Sequence, residues 1–195
     1  WVFTKGVNVD EFVVDNKMPS ATGKGYISYI SNCDPALDVN NKIARANTAG
    51  EPYITGGWPG DWWLFTIPEM TIKAGTVINA KFHARASGTG MKYWMLEYYD
   101  GGEWKPGAPL QTTTVGEGDQ AQTFSYNYEM MNTDHCLIDR NMTFEDAINN
   151  GDILIRLRCM ANWQASGKGA LAAPNGGTHR ISVQNNINPT ISIVQ

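Results

Sequence analysis

The sequence lacks the features by which two large classes of protein hold their partners. It contains no run of Lys and Arg, and its formal net charge is −4, so it has no cationic stretch with which to neutralise nucleic-acid phosphates or an anionic membrane surface. It also has no run of 18 apolar residues, the length a membrane-spanning helix needs. We therefore expect a neutral partner, with no nucleic acid and no membrane-spanning segment.

Signatures of metal and nucleophilic chemistry are also missing. The three cysteines, Cys33, Cys136 and Cys159, lie far apart without CxxC spacing, and they can form at most one disulfide within the chain. Cys159 lies in an apolar run, which favours a buried free thiol. No histidine has a second histidine at metal-ligand spacing, and no GxSxG, HExxH or phosphate-binding motif occurs. We therefore predict no enzyme.

A hydrolase remains a third alternative, because a glycosidase needs only two facing carboxylates. The sequence offers acidic residues for such a pair but does not show which of them meet. The candidates are Asp61, Glu97, Glu103 and Asp152.

Short runs of β-branched and aromatic residues between Gly, Asn and Asp clusters are abundant, and this pattern is typical of many short strands. Only 17% of the residues are charged and 42% are hydrophobic, which is enough for a folded core. The predicted strands are 11–15, 26–31, 43–46, 62–67, 76–87, 91–99, 122–131, 153–160, 179–184 and 190–194.

Two of these strands alternate clearly between apolar and polar residues. In 76–87 the residues in phase with Phe82 are apolar, and those in phase with His83 and Arg85 are polar. In 153–160 the residues in phase with Leu157 are apolar, whereas Arg156 and Arg158 point the other way. Such strands bury one face and leave the other wet, as in antiparallel sheets.

The predicted fold class is therefore all-β: one antiparallel β-sandwich domain over 1–195, of the jelly-roll type. Residues 1–10 are interpreted as an extended N-terminal tail that follows a removed export signal, since the chain opens without Met. One short helix is predicted at 143–151, where Thr143 and Asp146 approximate a capping box and Gly151 suits the C-terminal end.

The stretch GWPGDWWLFTIP (57–68) holds three tryptophans beside a turn sequence. Trp62 and Trp63 begin a strand and so face opposite ways, with Trp63 in phase with Phe65. At least one of them is expected in the core, and Trp58, in the turn, is the best candidate for an exposed platform.

Polar side chains that could hydrogen-bond to a ligand occur at two kinds of place. His83 and Arg85 lie on one polar strand face and Arg158 on another, and they form one patch if the two strands share a sheet. In the long loop after Cys159, Asn162 and Gln164 flank Trp163. The alternative for the His and Arg side chains is that they only form the solvated face of a sheet. The alternative for Trp163 is that it packs back on the core.

The segments 8–16 and 32–41 are rich in Asp and Asn, whose oxygens could supply the ligands of a structural calcium. Neither segment matches an EF-hand loop, and ordinary solvated loops explain them equally well.

Three stretches carry a family resemblance: GEPYITGGWPGDWWLFTIP, AGTVINAKFHARASGTGMKYWMLEYYDGGEWKP and ILIRLRCMANWQASGKGALAAPNGGTHRI. Over about residues 20–195 the chain resembles the galactose-binding-like jelly-roll domains of surface lipoproteins from gut Bacteroidetes, some of which resemble carbohydrate-binding modules. The resemblance implies an extracellular or outer-membrane location and a lipid anchor that is absent here. It supplies no catalytic or binding residues.

These observations together predict a monomeric, non-catalytic domain that binds a poly- or oligosaccharide. The alternative is a structural or adhesion module whose aromatic and Arg residues contact another surface protein. The candidate ligand-binding residues are Trp58, Trp62, His83, Arg85, Arg158, Asn162, Trp163 and Gln164.

Overall fold

Strands dominate the computed structural model, which describes residues 1, 17–30, 45–46, 51–55, 59–166 and 177–194. The strands form two larger sheets and a separate hairpin, and every pairing is antiparallel. In chain order they are β1 Lys17–Pro19, β2 Tyr26–Ile30, β3 Arg45–Ala46, β4 Pro52–Thr55, β5 Trp62–Ile72, β6 Thr76–Ala86, β7 Tyr93–Asp100, β8 Glu103–Pro106, β9 Gln111–Val115, β10 Gln122–Tyr126, β11 Tyr128–Glu129, β12 Cys136–Phe144, β13 Ile148–Cys159, β14 Thr178–Ser182 and β15 Thr190–Ile193.

The first sheet, sheet A, has the strand order β1-β2-β5-β13-β7-β11, and β8 also pairs with β7. The second, sheet B, has the order β12-β6-β14-β4-β3, and β15 also pairs with β6. Strands β9 and β10 form the separate hairpin. Neighbours in a sheet are therefore mostly distant in the chain, as in a jelly roll.

The two sheets pack face to face. Phe65 of sheet A lies against Phe82 of sheet B, with ring centroids 4.7 Å apart, and Trp63 and Trp94 of sheet A contact His179 of sheet B. The inward residues of β6 and β13 that the alternation predicts are almost completely buried. They are Ile78, Ala80, Phe82, Ala84 and Ala86 in β6, and Ile153, Ile155, Leu157 and Cys159 in β13. The molecule is thus the predicted all-β sandwich.

The predicted helix at 143–151 is wrong. Phe144 ends β12 and Ile148 begins β13, so the segment connects two strands. The backbone N–H groups of Glu145 and Asp146 donate to the carboxylate of Asp100, at 2.9 and 3.2 Å. A carboxylate from another strand therefore takes the donors that a helical first turn leaves unpaired.

Most predicted strands are confirmed, with shifted ends. The run 122–131 is divided into β10 and β11, and 62–67 and 153–160 belong to longer strands. The sequence analysis missed β1, β4, β8, β9 and β12.

The predicted strand 11–15 and the tail residues 2–10 lie outside the described residues, whereas Trp1 is buried and packs edge-on against Phe65. In the described ranges no helix is long and apolar enough to cross a membrane.

Candidate functional site

The polar residues predicted to form one patch lie on two different faces. Arg85 and His83 belong to β6 of sheet B, whereas Arg158 belongs to β13 of sheet A. The side chains of both strands point away from the core between the sheets, so they lie on opposite outer faces of the sandwich. A single patch required β6 and β13 to share a sheet, and they do not.

The outer face of sheet A carries a group of partly exposed aromatic rings around two arginines. We call it the aromatic face, and it consists of Trp62, Tyr99, Trp104, Arg156 and Arg158, with Glu97 between the arginines. The strand order β5-β13-β7-β8 brings these residues together. Register places Arg158 opposite Trp62 and Trp104 opposite Tyr99.

The guanidinium of Arg156 lies between two indole rings. Its carbon atom is 3.9 Å from the ring centroid of Trp104 and 5.2 Å from that of Trp62. Tyr99, which is 37% exposed, meets Trp104 edge-on with centroids 5.3 Å apart. The cation–π contacts fix the rings of two separate strands around one cation.

The buried carboxylate of Glu97 binds both Arg156 and Arg158. Its Oε2 accepts the Nε–H of Arg156 at 2.7 Å and that of Arg158 at 2.9 Å, and its Oε1 accepts an Nη2–H of Arg158 at 3.0 Å. The Glu97 side chain is 6% exposed, but that of Arg158 is 30% exposed. One carboxylate serves two guanidiniums, so the group keeps a net positive charge and its outermost N–H donors are left for solvent or a ligand.

The hairpin of β9 and β10 bounds the aromatic face at one end. Phe124 and Tyr126 pack edge-on against Tyr93, with centroids 5.2 and 4.8 Å apart, and Val115 joins the same apolar cluster. Trp163 packs partly buried against this cluster. Trp163, predicted either as a platform or as a residue that packs back on the core, is thus partly buried against this second apolar cluster.

The two amides beside Trp163 lie along the start of β7. Gln164 forms an isolated bridge with Met91, and the backbone carbonyl of Trp163 accepts the N–H of Lys92 at 2.9 Å. The Oδ1 of Asn162 is buried and accepts no hydrogen bond in the structure. These residues lie at the same end of sheet A as Tyr93, next to the aromatic face but not within it.

On the outer face of sheet B, Arg85 is held by neutral groups. Its Nη2 donates to the backbone carbonyl of Asn132 at 2.5 Å, and its Nη1 lies 3.5 Å from Nε2 of His135. His83 is 4% exposed and packs edge-on against His135. Burial lowers the pKa of His83, against the opposing effect of Asp134. Covered in this way, His83 is a poor hydrogen-bonding group for a ligand in solution.

The calcium ligands and the platform Trp58 remain predictions. Trp58 and the segments 8–16 and 32–41 lie outside the described residues. Within the part of the chain that the structure describes, no group of three or more His, Cys, Asp or Glu residues could hold a metal ion.

The thiols are not arranged as nucleophiles. Cys159 is 1% exposed and free, as predicted, and burial raises its pKa far above the ordinary range. Cys136 is also free, and burial raises its pKa to about 11. Cys33 lies outside the described residues. Since the thiolate is the reactive form, neither described thiol is activated.

Two of the four acidic residues considered for a hydrolase have structural partners. Both oxygens of Glu97 accept guanidinium N–H groups. Asp61 is fully buried and its Oδ2 accepts the hydroxyl hydrogen of Tyr29 at 3.0 Å. Both carboxylates are thus engaged in hydrogen bonds within the fold.

The predicted ligand-binding residues did not include four members of the aromatic face: Glu97, Tyr99, Trp104 and Arg156, the last of which was predicted only to point away from the core. The available signal was the Asp100-Gly101-Gly102-Glu103 turn, whose glycines have φ of +62° and +85° and close a tight hairpin. A hairpin there pairs Tyr99 with Trp104 and puts both on one face with Glu97.

Comparisons with known proteins identify no family for the chain. No protein-family model matches the sequence, and no curated protein matches it. A solved structure described as "CBM4 structure and function" aligns with 97% of this chain and 100% of that one, at 14% identity and a TM-score of 0.45. At that level neither its ligand nor its residues are transferred, and the sandwich assignment rests on the sheets themselves.

Proposed function

We propose that the chain is a non-catalytic carbohydrate-binding domain that holds a neutral glycan on the aromatic face of sheet A. The observation that carries the proposal is the arrangement of Trp104 and Trp62 around Arg156, on an outer sheet face whose rings remain partly exposed.

The chemistry of the face suits a sugar chain. An aromatic ring packs against the apolar C–H side of a pyranose, and planar polar groups hydrogen-bond its hydroxyls. Trp62, Trp104 and Tyr99 supply rings, and the outer N–H groups of Arg158 supply donors. Because Glu97 and the indoles already hold the guanidiniums, little side-chain freedom is lost when a ligand binds.

The residues that border the face have supporting roles in this proposal. Trp163, Asn162 and Gln164 shape its end near Tyr93, and Trp58 is a further candidate platform. His83 and Arg85 do not take part, because they lie on the opposite sheet. A domain of this kind meets its glycan outside the cell, so we extend the proposal to a monomer at an extracellular or outer-membrane surface, held through a lipid anchor.

Native affinity electrophoresis through gels that contain neutral polysaccharides tests the proposal. We expect at least one polysaccharide, such as a xylan, a mixed-linkage glucan or a galactomannan, to retard the protein. Trp104→Ala should weaken that retardation roughly tenfold, which corresponds to about 1.4 kcal/mol, because it removes a stacking ring and one wall around Arg156. Tyr53→Ala is the matched control, since Tyr53 is a half-buried ring paired with outward Arg180 on sheet B.

Two outcomes contradict the proposal. One is a folded protein that no polysaccharide retards, which favours the alternative of a protein-binding adhesion module with the same Trp, Tyr and Arg residues. The other is equal weakening by Trp104→Ala and Tyr53→Ala, which removes the aromatic face as the site.

A further inference from the structure

Two arginines lie directly opposite each other on the outer face of sheet B. Arg180 of β14 pairs in register with Arg85 of β6, so the two side chains leave the sheet side by side. Like charges directly opposite on neighbouring strands repel each other, and such a pair needs compensation.

Within the described ranges, Arg180 forms an ion pair and Arg85 does not. The carboxylate Oε2 of Glu51 lies 3.3 Å from Nε of Arg180, and its Oε1 accepts the backbone N–H of Val183 at 2.8 Å. Among the residues that the structure describes, the partners of the Arg85 guanidinium are neutral: the backbone carbonyl of Asn132 and the imidazole of His135. The pair therefore carries one more positive charge than its carboxylate neutralises.

His135 lies beside this pair, and its own backbone N–H donates to the Asp134 carboxylate at 2.7 Å. Its Nδ1 lies 2.8 Å from the hydroxyl oxygen of Ser182, and its Nε2 faces Arg85. Burial, and then the Arg85 charge, lower the pKa of His135. The imidazole thus acts as a neutral support that helps to orient the Arg85 guanidinium.

An open pocket lies beside this pair of arginines. It has a volume of about 110 Å³ and is lined by Arg85, Ala86, Ser87, Thr178 and Arg180. The Ser87 hydroxyl oxygen accepts the backbone N–H of Thr178 at 2.7 Å, which leaves the Ser87 O–H free to donate. Two arginines and two hydroxyl-bearing side chains therefore line a space large enough for a small polar group.

We propose that this pocket binds an oxyanion, the carboxylate or sulfate group of an acidic ligand, between Arg85 and Arg180. The planar guanidinium of each arginine matches the spacing of two oxygens on such a group, and the anion supplies the negative charge that the pair lacks. The pocket lies on the opposite sheet from the aromatic face. The two proposals therefore rest on different residues, and each can fail alone.

Equilibrium dialysis with radiolabelled sulfate at low ionic strength tests the pocket, with glucuronate and glucose as competitors. We expect saturable binding of one sulfate per chain. Arg85→Gln should weaken it at least tenfold, because it removes the guanidinium fork. Arg140→Gln is the matched control: it removes the same charge from an exposed arginine of sheet B that pairs with Ala80, five residues along β6 from Arg85.

Further variants keep the test decisive if Arg85→Gln does not fold. Arg85→Lys keeps the charge without the fork, and Thr178→Val removes one hydroxyl, and each should weaken sulfate binding without abolishing it. Displacement by glucuronate but not by glucose identifies a carboxylate as an accepted group, and sulfate binding without displacement restricts the pocket to sulfate. Absence of saturable binding by either anion overturns the proposal, as does equal binding by wild type and both Arg85 variants.

Discussion

At the scale of single residues, the most informative side chain is His179, a fully buried histidine between the two sheets. The indole N–H of Trp63 donates to its Nδ1 at 3.0 Å, and its Nε2 lies 3.3 Å from the Tyr29 hydroxyl, which donates to Asp61. Since Nδ1 accepts a hydrogen bond, the proton of the neutral ring is on Nε2. A chain of polar groups thus crosses the otherwise apolar core.

A double-mutant cycle should reveal the coupling between Trp63 and His179. His179→Leu strands the buried indole N–H of Trp63, which costs about 1–3 kcal/mol beyond the lost packing. In the Trp63→Phe background that donor is already gone, so His179→Leu should lower the free energy of unfolding by about 1 kcal/mol less. Urea denaturation of the four proteins measures this, and strictly additive losses would show that the bond contributes nothing.

The individual roles of these residues were only partly predictable. Trp63 is buried in phase with Phe65, as the alternation indicates, because a two-faced strand places every second residue inward. The acceptor of its indole N–H comes from His179, 116 residues later in the chain. No local pattern marks such a partner, since only the packing of the two sheets creates it.

At the scale of elements, strands that alternate between apolar and polar residues were predictable, whereas short or irregular strands were often missed. β6 and β13 alternate cleanly because each lies inside a sheet with one face on the core. In β12 the inward phase includes Arg140, which is exposed at the sheet edge, and this breaks the alternation. The short strands β4, β8 and β9 have too few residues to show a period.

The helix predicted at 143–151 does not form, and the reason again lies outside the local sequence. The backbone N–H groups of Glu145 and Asp146 donate to Asp100, which belongs to another strand. Asp100 is 3% exposed, and its Oδ2 also accepts an N–H of Lys105 at 2.9 Å. Burial raises the pKa of Asp100, but Lys105 and the backbone N–H groups of Glu145 and Asp146 outweigh this and hold it below the ordinary 3.8. The carboxylate joins the β7–β8 turn to the β12–β13 connection.

The stabilisation by Asp100 should depend on pH. Because the pKa is lower in the folded state, the stabilisation is complete above pH 3.8 and is lost as the pH falls through the folded pKa below that value. At pH 7 we expect Asp100→Asn to reduce the free energy of unfolding by about 2 kcal/mol, since it removes charged hydrogen bonds.

Denaturation of wild type and Asp100→Asn between pH 7 and pH 2 measures this effect. The difference between the two proteins should shrink below pH 3.8, whereas the exposed control Asp152→Asn should differ little from wild type throughout. A difference that stays constant to pH 2 would contradict the assigned role of the carboxylate.

At the scale of the whole molecule, strand order decides which residues form a site. The sequence predicts the outward direction of Arg85, Arg156 and Arg158, but not that β6 and β13 belong to different sheets. It also does not predict that β5, β13, β7 and β8 are neighbours, which brings Trp62 and Trp104 to the same arginine. The chemistry of the candidate residues was therefore visible in the sequence, and their grouping required the fold.

The two outer faces consequently present different chemistry. The aromatic face of sheet A combines rings with two arginines on one carboxylate, whereas sheet B presents an arginine pair over a small polar pocket. A ligand that has both neutral sugar units and acidic groups could meet either face. Variants of Trp104 and Arg85 separate the two sites.

The most direct test of the central claim is a titration of tryptophan fluorescence with the polysaccharide that retards the protein most. The wild type should show a saturable change in emission, because the glycan covers Trp62 and Trp104. The Trp62→Phe/Trp104→Phe variant keeps a ring at both positions but loses these indoles, so the change should vanish. The same saturable change in that variant would place the glycan elsewhere, and no change in the wild type would contradict glycan binding on the aromatic face.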